Sequence, residues 1–189
     1  MPDKYKGGED VPTGNHDPKH EFFAGSGPGL QANCYSFAVN VLNSASPDLY
    51  PGALSYPEDT KRWAYGQGPS IDDYVKACQL DHFQLIGNDM DDAMQRTAGR
   101  TDGFLVMVEK AGPMGDFHCA RMDSDGHWCE KNPNIAPALS ESNKPGLQGS
   151  MALKFGLKRF FWVDPNVVKL TAVTTTAGTQ KTGCPCIIL

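Results

Sequence analysis

The chain has 189 residues, a formal net charge of −5 and an isoelectric point of about 5.5, with 40% hydrophobic and 21% charged residues. That is long enough for one domain with a real core, and the 20 Gly and 14 Pro suggest a loop-rich mixed fold rather than a helical bundle. No Lys/Arg cluster is dense enough for a nucleic-acid face, and no hydrophobic run is long enough to span a bilayer.

Taken in chain order, residues 1–24 are polar, without periodicity or an apolar signal segment, and read as a flexible N-terminal arm that orders near His20 and Phe23. The run Gly25-Ser26-Gly27-Pro28-Gly29 breaks regular structure. Phe37, Ala38 and Val41 then recur at helical spacing and predict a helix over 31–44. Residues 45–70 are a turn-rich, Pro-rich connection. Ser70 followed by Asp73 is a capping-box pattern and predicts a second helix running to about Leu80. A third, short helix is predicted over 89–97.

The period then changes. Residues 103–109 are rich in β-formers and predict a buried strand. Residues 117–123 and 127–132 flank Ser124-Asp125-Gly126, a hairpin signal. Residues 134–152 form a Pro/Ser/Asn-rich loop, and Lys158 to Val163 (KRFFWV) predicts a last strand ended by Asp164-Pro165. From about Leu170 the chain becomes a flexible polar linker before Cys184-Pro185-Cys186-Ile187-Ile188-Leu189. Helices first and an antiparallel sheet after them make an α+β plan. The expected division is an arm over 1–24, a catalytic domain over 25–168 and a tail over 169–189.

The six cysteines are Cys34, Cys78, Cys119, Cys129, Cys184 and Cys186. Their spacing is too irregular for a disulfide framework, so reduced thiols and a cytosolic setting are expected. Cys34 stands at the start of the first helix, where unpaired N–H groups and the helix dipole favour thiolate. The alternative is an inert buried thiol, because free Cys is among the most buried residue types. On this stretch alone the two readings are even.

The hairpin separates them. A cysteine nucleophile needs a base and a group that orients the base. A three-residue loop with Gly126 left-handed pairs Asp123 with His127, Met122 with Trp128 and Ala120 with Glu130. One face then reads His118, Ala120, Met122, Trp128, Glu130, Asn132. The other reads Cys119, Arg121, Asp123, His127, Cys129, Lys131 and is expected to be solvated. A two-residue loop would instead put Cys119 opposite Asn132. His118 is therefore the candidate base and Asn132 the orienter, with Glu130 as the alternative.

The block Asn33-Cys34-Tyr35-Ser36-Phe37-Ala38, with His118 opening a later strand and Trp128-Cys129-Glu130-Lys131-Asn132 ending the next, resembles papain-like cysteine peptidases in order and local context. It is also similar to small bacterial proteins with an Asn-Cys-Tyr-x-Tyr/Phe-Ala start. The resemblance covers two short blocks. It implies a papain-like fold, with a helical part carrying Cys34 against an antiparallel sheet carrying His118, and a Cys34-His118-Asn132 triad. For the oxyanion, Gln31 or Asn33 would donate beside the Cys34 backbone N–H. The implied chemistry is a thiol-dependent hydrolase or acyl transferase, of protease, amidase or deamidase type, acting on a protein substrate without a cofactor.

Other residues take plainer readings. Cys78 and Trp162 are core, and His82 is surface or core. Cys119, Asp123, His127 and Cys129 match no zinc knuckle, so no metal is expected. Asp123-Ser124-Asp125-Gly126 lacks the distal Glu of a calcium loop. Cys186-Ile187-Ile188-Leu189 fits a prenylation motif, with Cys184 available for palmitoyl. Those residues lead to the expectation of a host prenyltransferase as partner, a lipid anchor on the cytosolic face of a eukaryotic membrane, and an effector that modifies host proteins, with a eukaryotic protein carrying the same tail fitting equally well. A peptidoglycan amidase of the same fold and a non-catalytic, membrane-tethered binding module are the alternatives.

Overall fold

The computed structural model describes residues 3–4, 10–11, 23, 28–39, 49–52, 69–111, 117–132, 136–140, 144–146, 156–164 and 167. Its elements are β1 (Asp3–Lys4), β2 (Asp10–Val11), α1 (Pro28–Gln31), α2 (Cys34–Ala38), α3 (Ile71–Leu80), β3 (Gln84–Gly87), α4 (Met90–Thr97), β4 (Phe104–Lys110), β5 (Phe117–Met122), β6 (Trp128–Glu130), β7 (Ala138–Leu139) and β8 (Leu157–Val163). The chain is α+β, built on a six-stranded sheet in the order β3-β8-β4-β5-β6-β7 in which every pair is antiparallel. Strands β1 and β2 form a separate two-stranded ladder.

The helices start where side-chain chemistry starts them. The Ser70 hydroxyl accepts from the Asp73 N–H at 3.2 Å, and Asp73 accepts from the Ser70 N–H at 2.9 Å. This is the expected capping box, and it opens α3. Asp89 opens α4 by accepting from the Asp92 N–H at 2.8 Å. The first helix differs from its expectation. The Gly/Pro run does not simply break the chain, because Pro28 begins the helical turn α1, a position its fixed φ suits. Asn33 then opens α2 separately. Residues 40–44 of the predicted helix lie outside the described residues.

The sheet separates two hydrophobic layers. On one face Phe104, Val106, Val108, Phe117, Cys119, Phe161 and Val163 pack against Cys34, Tyr35 and Ala38 of α2 and Tyr74 and Cys78 of α3. On the other, Leu105, Met107, Ala120, Trp128, Phe160 and Trp162 pack against Ala93 of α4, with Met90 and Met94 beside it. Phe117 is an aromatic hub, with ring centroids 6.5 Å from Tyr35, 5.8 Å from Tyr50 and 5.5 Å from Tyr74. Burying each such ring stabilises by about 1.5–3 kcal/mol.

The hairpin has the predicted register. Ala120 pairs with Glu130 and Met122 with Trp128, the Asp123 N–H donates to His127 O at 2.9 Å, and Gly126 has φ 82°. The face expected to be solvated is buried along most of its length: Cys119, Arg121, Cys129 and Lys131 are all at most 1% exposed, while His127 beside the turn is exposed as expected. The helical layer covers it. Phe23 also packs there with Ala32, Phe37 and Cys129, its ring edge-on to Phe37 at 5.3 Å. The packed domain therefore includes Phe23, inside the expected arm. The tail over 169–189 lies outside the described residues.

Candidate active site

Cys34 is the first residue of α2 and is fully buried. The segment around it is held by polar contacts to residues 49–52. Asn33 caps the helix by accepting from the Ser36 N–H at 3.0 Å, and its Nδ2 donates to Leu49 O at 2.6 Å. The Ser36 hydroxyl accepts from the Leu49 N–H at 3.1 Å. Both ends of the Asn33 amide are thus engaged, which makes Asn33 a cap and tether of the Cys34 segment. Gln31, the other expected donor, is exposed at the end of α1.

Beneath this segment lies a buried carboxylate. Asp81 accepts from the Tyr35 hydroxyl and from the Gly52 N–H, each at 2.6 Å. Burial, and after it the Asp81 charge, hold the Tyr35 phenol well above its ordinary pKa. Burial and Asp81 likewise push the Cys78 thiol up, and Cys78 is the buried core residue that the sequence suggested.

Cys34 meets the sheet at β5, with Sγ 4.0 Å from the carbonyl oxygen of Phe117. His118 is the next residue. Its Nε2 lies 2.5 Å from Glu130 Oε2, and Glu130 Oε1 accepts from the Gly146 N–H at 3.1 Å. Burial works against ionising Glu130, but the hydrogen bond and charge of His118 outweigh it, with help from Ser140 and the Gly146 N–H. The carboxyl is thereby held below its usual range. Gly146 itself has φ 84°, and a Cβ there would meet Glu109 Oε2.

The hydrogen-bond partner of His118 is therefore Glu130, the alternative orienter, and not Asn132. The reason is reach along the ladder. Strand β6 ends at Glu130, opposite Ala120, and the Glu130 side chain reaches past the end of β6 to His118, nearer the start of β5. Asn132 lies beyond the strand, where its backbone carbonyl accepts from Lys131 Nζ at 3.1 Å.

The placement of Cys34 relative to His118 departs from expectation. Alternation along β5 sends Phe117 and Cys119 to the Cys34 layer and Ala120 to the Trp128 layer. His118, between Phe117 and Cys119, leaves on the Ala120 side with Glu130. The sequence placed His118 on the correct face of the hairpin, but nothing local says which face the Cys34 helix covers.

Lys131 was missed as a site residue. It is 1% exposed, and its Nζ donates to Leu30 O at 2.9 Å and Ala32 O at 2.7 Å. The signal was present, since Lys131 shares alternation parity with Cys129, but a lysine there read as solvated. A cavity of about 360 Å³ opens at the far end of the sheet, lined by residues such as Met94, Arg100, Arg121, Met122 and Trp162. Its lining includes none of Cys34, His118, Glu130 or Asn132.

Cys34, Cys78, Cys119 and Cys129 are all buried. Among the described residues no group of three His, Cys, Asp or Glu side chains is arranged to hold a metal, and no helix is long and apolar enough to cross a membrane. The lipidation candidates Cys184 and Cys186 lie outside the described residues. Comparison with protein-family models, curated proteins and solved structures finds no match.

Proposed function

We propose that the chain is a thiol-dependent hydrolase of amide or ester bonds, with Cys34 as nucleophile and the His118–Glu130 pair as base. The observation that supports it best is adjacency: Cys34 Sγ lies 4.0 Å from the carbonyl of Phe117, and the next residue is a histidine held at Nε2 by a carboxylate. A carboxylate at Nε2 keeps the proton there and leaves the lone pair on Nδ1. Nδ1 then takes the Cys34 proton, and the thiolate attacks the carbonyl carbon. The protonated imidazole returns that proton to the leaving group, and water deprotonated by Nδ1 releases the acid from the thioester.

The reading entails a movement. Cys34 is fully buried, and His118 leaves the opposite face of β5. The imidazole must turn toward Cys34 at the start of β5, where β6, ending opposite Ala120, no longer flanks the strand. Those same two facts favour a second reading, a non-catalytic binding module on a scaffold of this type.

The pH dependence of Cys34 alkylation by iodoacetamide, followed by mass spectrometry in the wild type and in His118→Ala, decides between them. The hydrolase reading expects Cys34 to react well below pH 8, and faster than Cys78, with the advantage lost in the variant. A Cys34 that is inert, or that behaves alike in both proteins, leaves the scaffold reading.

A further inference from the structure

Strand β6 is only three residues long, and at its end two successive side chains reach in opposite directions. Glu130 projects to one face and holds His118 Nε2 at 2.5 Å. Lys131 projects to the other, where its ammonium gathers Leu30 O at 2.9 Å, Ala32 O at 2.7 Å and Asn132 O at 3.1 Å. Residues 30–32 run directly into Asn33 and Cys34. One dipeptide thus serves both halves of the proposed site, the base on one face and the nucleophile segment on the other.

A buried ammonium is costly unless its protons are bonded. Here two of the carbonyls that bond it come from a part of the chain about a hundred residues away. Residues 32 and 33 lie between α1 and α2 and belong to neither helix, so their course is set by such contacts. A neutral donor would suffice to gather carbonyls. A positive charge on the carbonyl of Ala32, two residues before Cys34 in the chain, does something more, since a cation near a thiol favours the thiolate.

We infer that Lys131 is a positioning residue for the reaction proposed above, on which this inference rests. Its ammonium fixes the approach of residues 30–34 to β5, and its charge lowers the pH at which Cys34 becomes thiolate.

The test is the pH profile of Cys34 alkylation by iodoacetamide in the full chain, for wild type, His118→Ala, Lys131→Met, Lys131→Gln and Lys131→Arg, with urea unfolding of each. Lys131→Met keeps the length and removes the charge. Its midpoint is expected to rise by about one pH unit, which is roughly tenfold slower reaction on the low-pH limb. Lys131→Gln, which keeps a donor for the carbonyls, gives the same rise and is the variant to read if Lys131→Met does not fold. Lys131→Arg retains the wild-type midpoint even where it lowers stability. A Lys131→Met or Lys131→Gln profile that superimposes on the wild type overturns the inference, whatever happens to stability, and leaves the hydrolase reading standing. A wild-type midpoint like that of an ordinary thiol, unmoved in His118→Ala, overturns the hydrolase reading and this inference with it.

Discussion

Cys34 and His118 sit on opposite faces of one sheet, in surroundings of different kinds. The Cys34 face buries the polar groups around the Cys34 segment. Asn33, Ser36, Asp81 and Lys131 are each at most 4% exposed, and most of their bonds go to backbone groups. Such bonds fix the course of the chain and leave side chains little freedom. The His118 face instead pairs two titratable groups, whose side chains are 12% and 21% exposed, under a backbone N–H from Gly146. Cys34 is held by architecture, and His118 is held by charge. Perturbing the first should cost folding stability, and perturbing the second should change how stability depends on pH.

The largest expected effect lies on the Cys34 face. Asp81→Ala removes the acceptor of both the Tyr35 hydroxyl and the Gly52 N–H. It leaves two buried donors, and the cost should be about 3 kcal/mol or more. Urea unfolding followed by tryptophan fluorescence reads this as a lower midpoint at unchanged slope. A loss below about 1 kcal/mol would mean that the segment finds other acceptors and is not rigidly held.

On the other face, Glu130→Gln weakens the bond to His118 and should cost about 1.5–2 kcal/mol at neutral pH. The sign of the pH effect follows from the carboxyl. Its folded pKa is lowered, so its contribution is fully present above the unfolded value of about 4.3 and is lost as pH falls through the lower folded value. Wild type should therefore lose more stability than Glu130→Gln as pH drops below about 4.3. Parallel curves for the two proteins across that window would contradict charge as the means by which His118 is held.

The contrast between the faces also separates what could be read in the sequence from what could not. The hairpin was legible because its instructions are local. Ser124-Asp125-Gly126 selects the loop, the loop sets the register, and the register puts Glu130 and His118 on one face. The capping box at Ser70 was legible for the same reason. The papain-like resemblance drew attention to Cys34 and His118 but said nothing of the layer between them. The position of β8 between β3 and β4 depends on pairing across long stretches of chain. Strand β3 is a short, half-exposed edge with a slip in register between Leu85 and Gly87, and it carries no alternation to find. The burial of Lys131 depends on α1 arriving above it. The preference for Asn132 over Glu130 failed because it counted residues along the strand and not the length of the side chains.

The smallest expected effect tests the legible part. Gly126 has φ 82°, and a Cβ there would meet nothing within 4 Å. Gly126→Ala therefore adds backbone strain without a clash, and should cost about 1 kcal/mol. The three-residue loop should persist, because lengthening or shortening it by one residue would turn every side chain of β6 to the other face. Glu130 would then leave His118, and Lys131 would leave the carbonyls of Leu30 and Ala32, so both halves of the site would fail together. The variant should accordingly lose a little stability while keeping the wild-type pH dependence of unfolding below pH 4.3, the signature of an intact His118–Glu130 pair. A variant that loses that signature along with the 1 kcal/mol would mean that the turn, and not the packing of Trp128 and Cys129 on either face, decides the register.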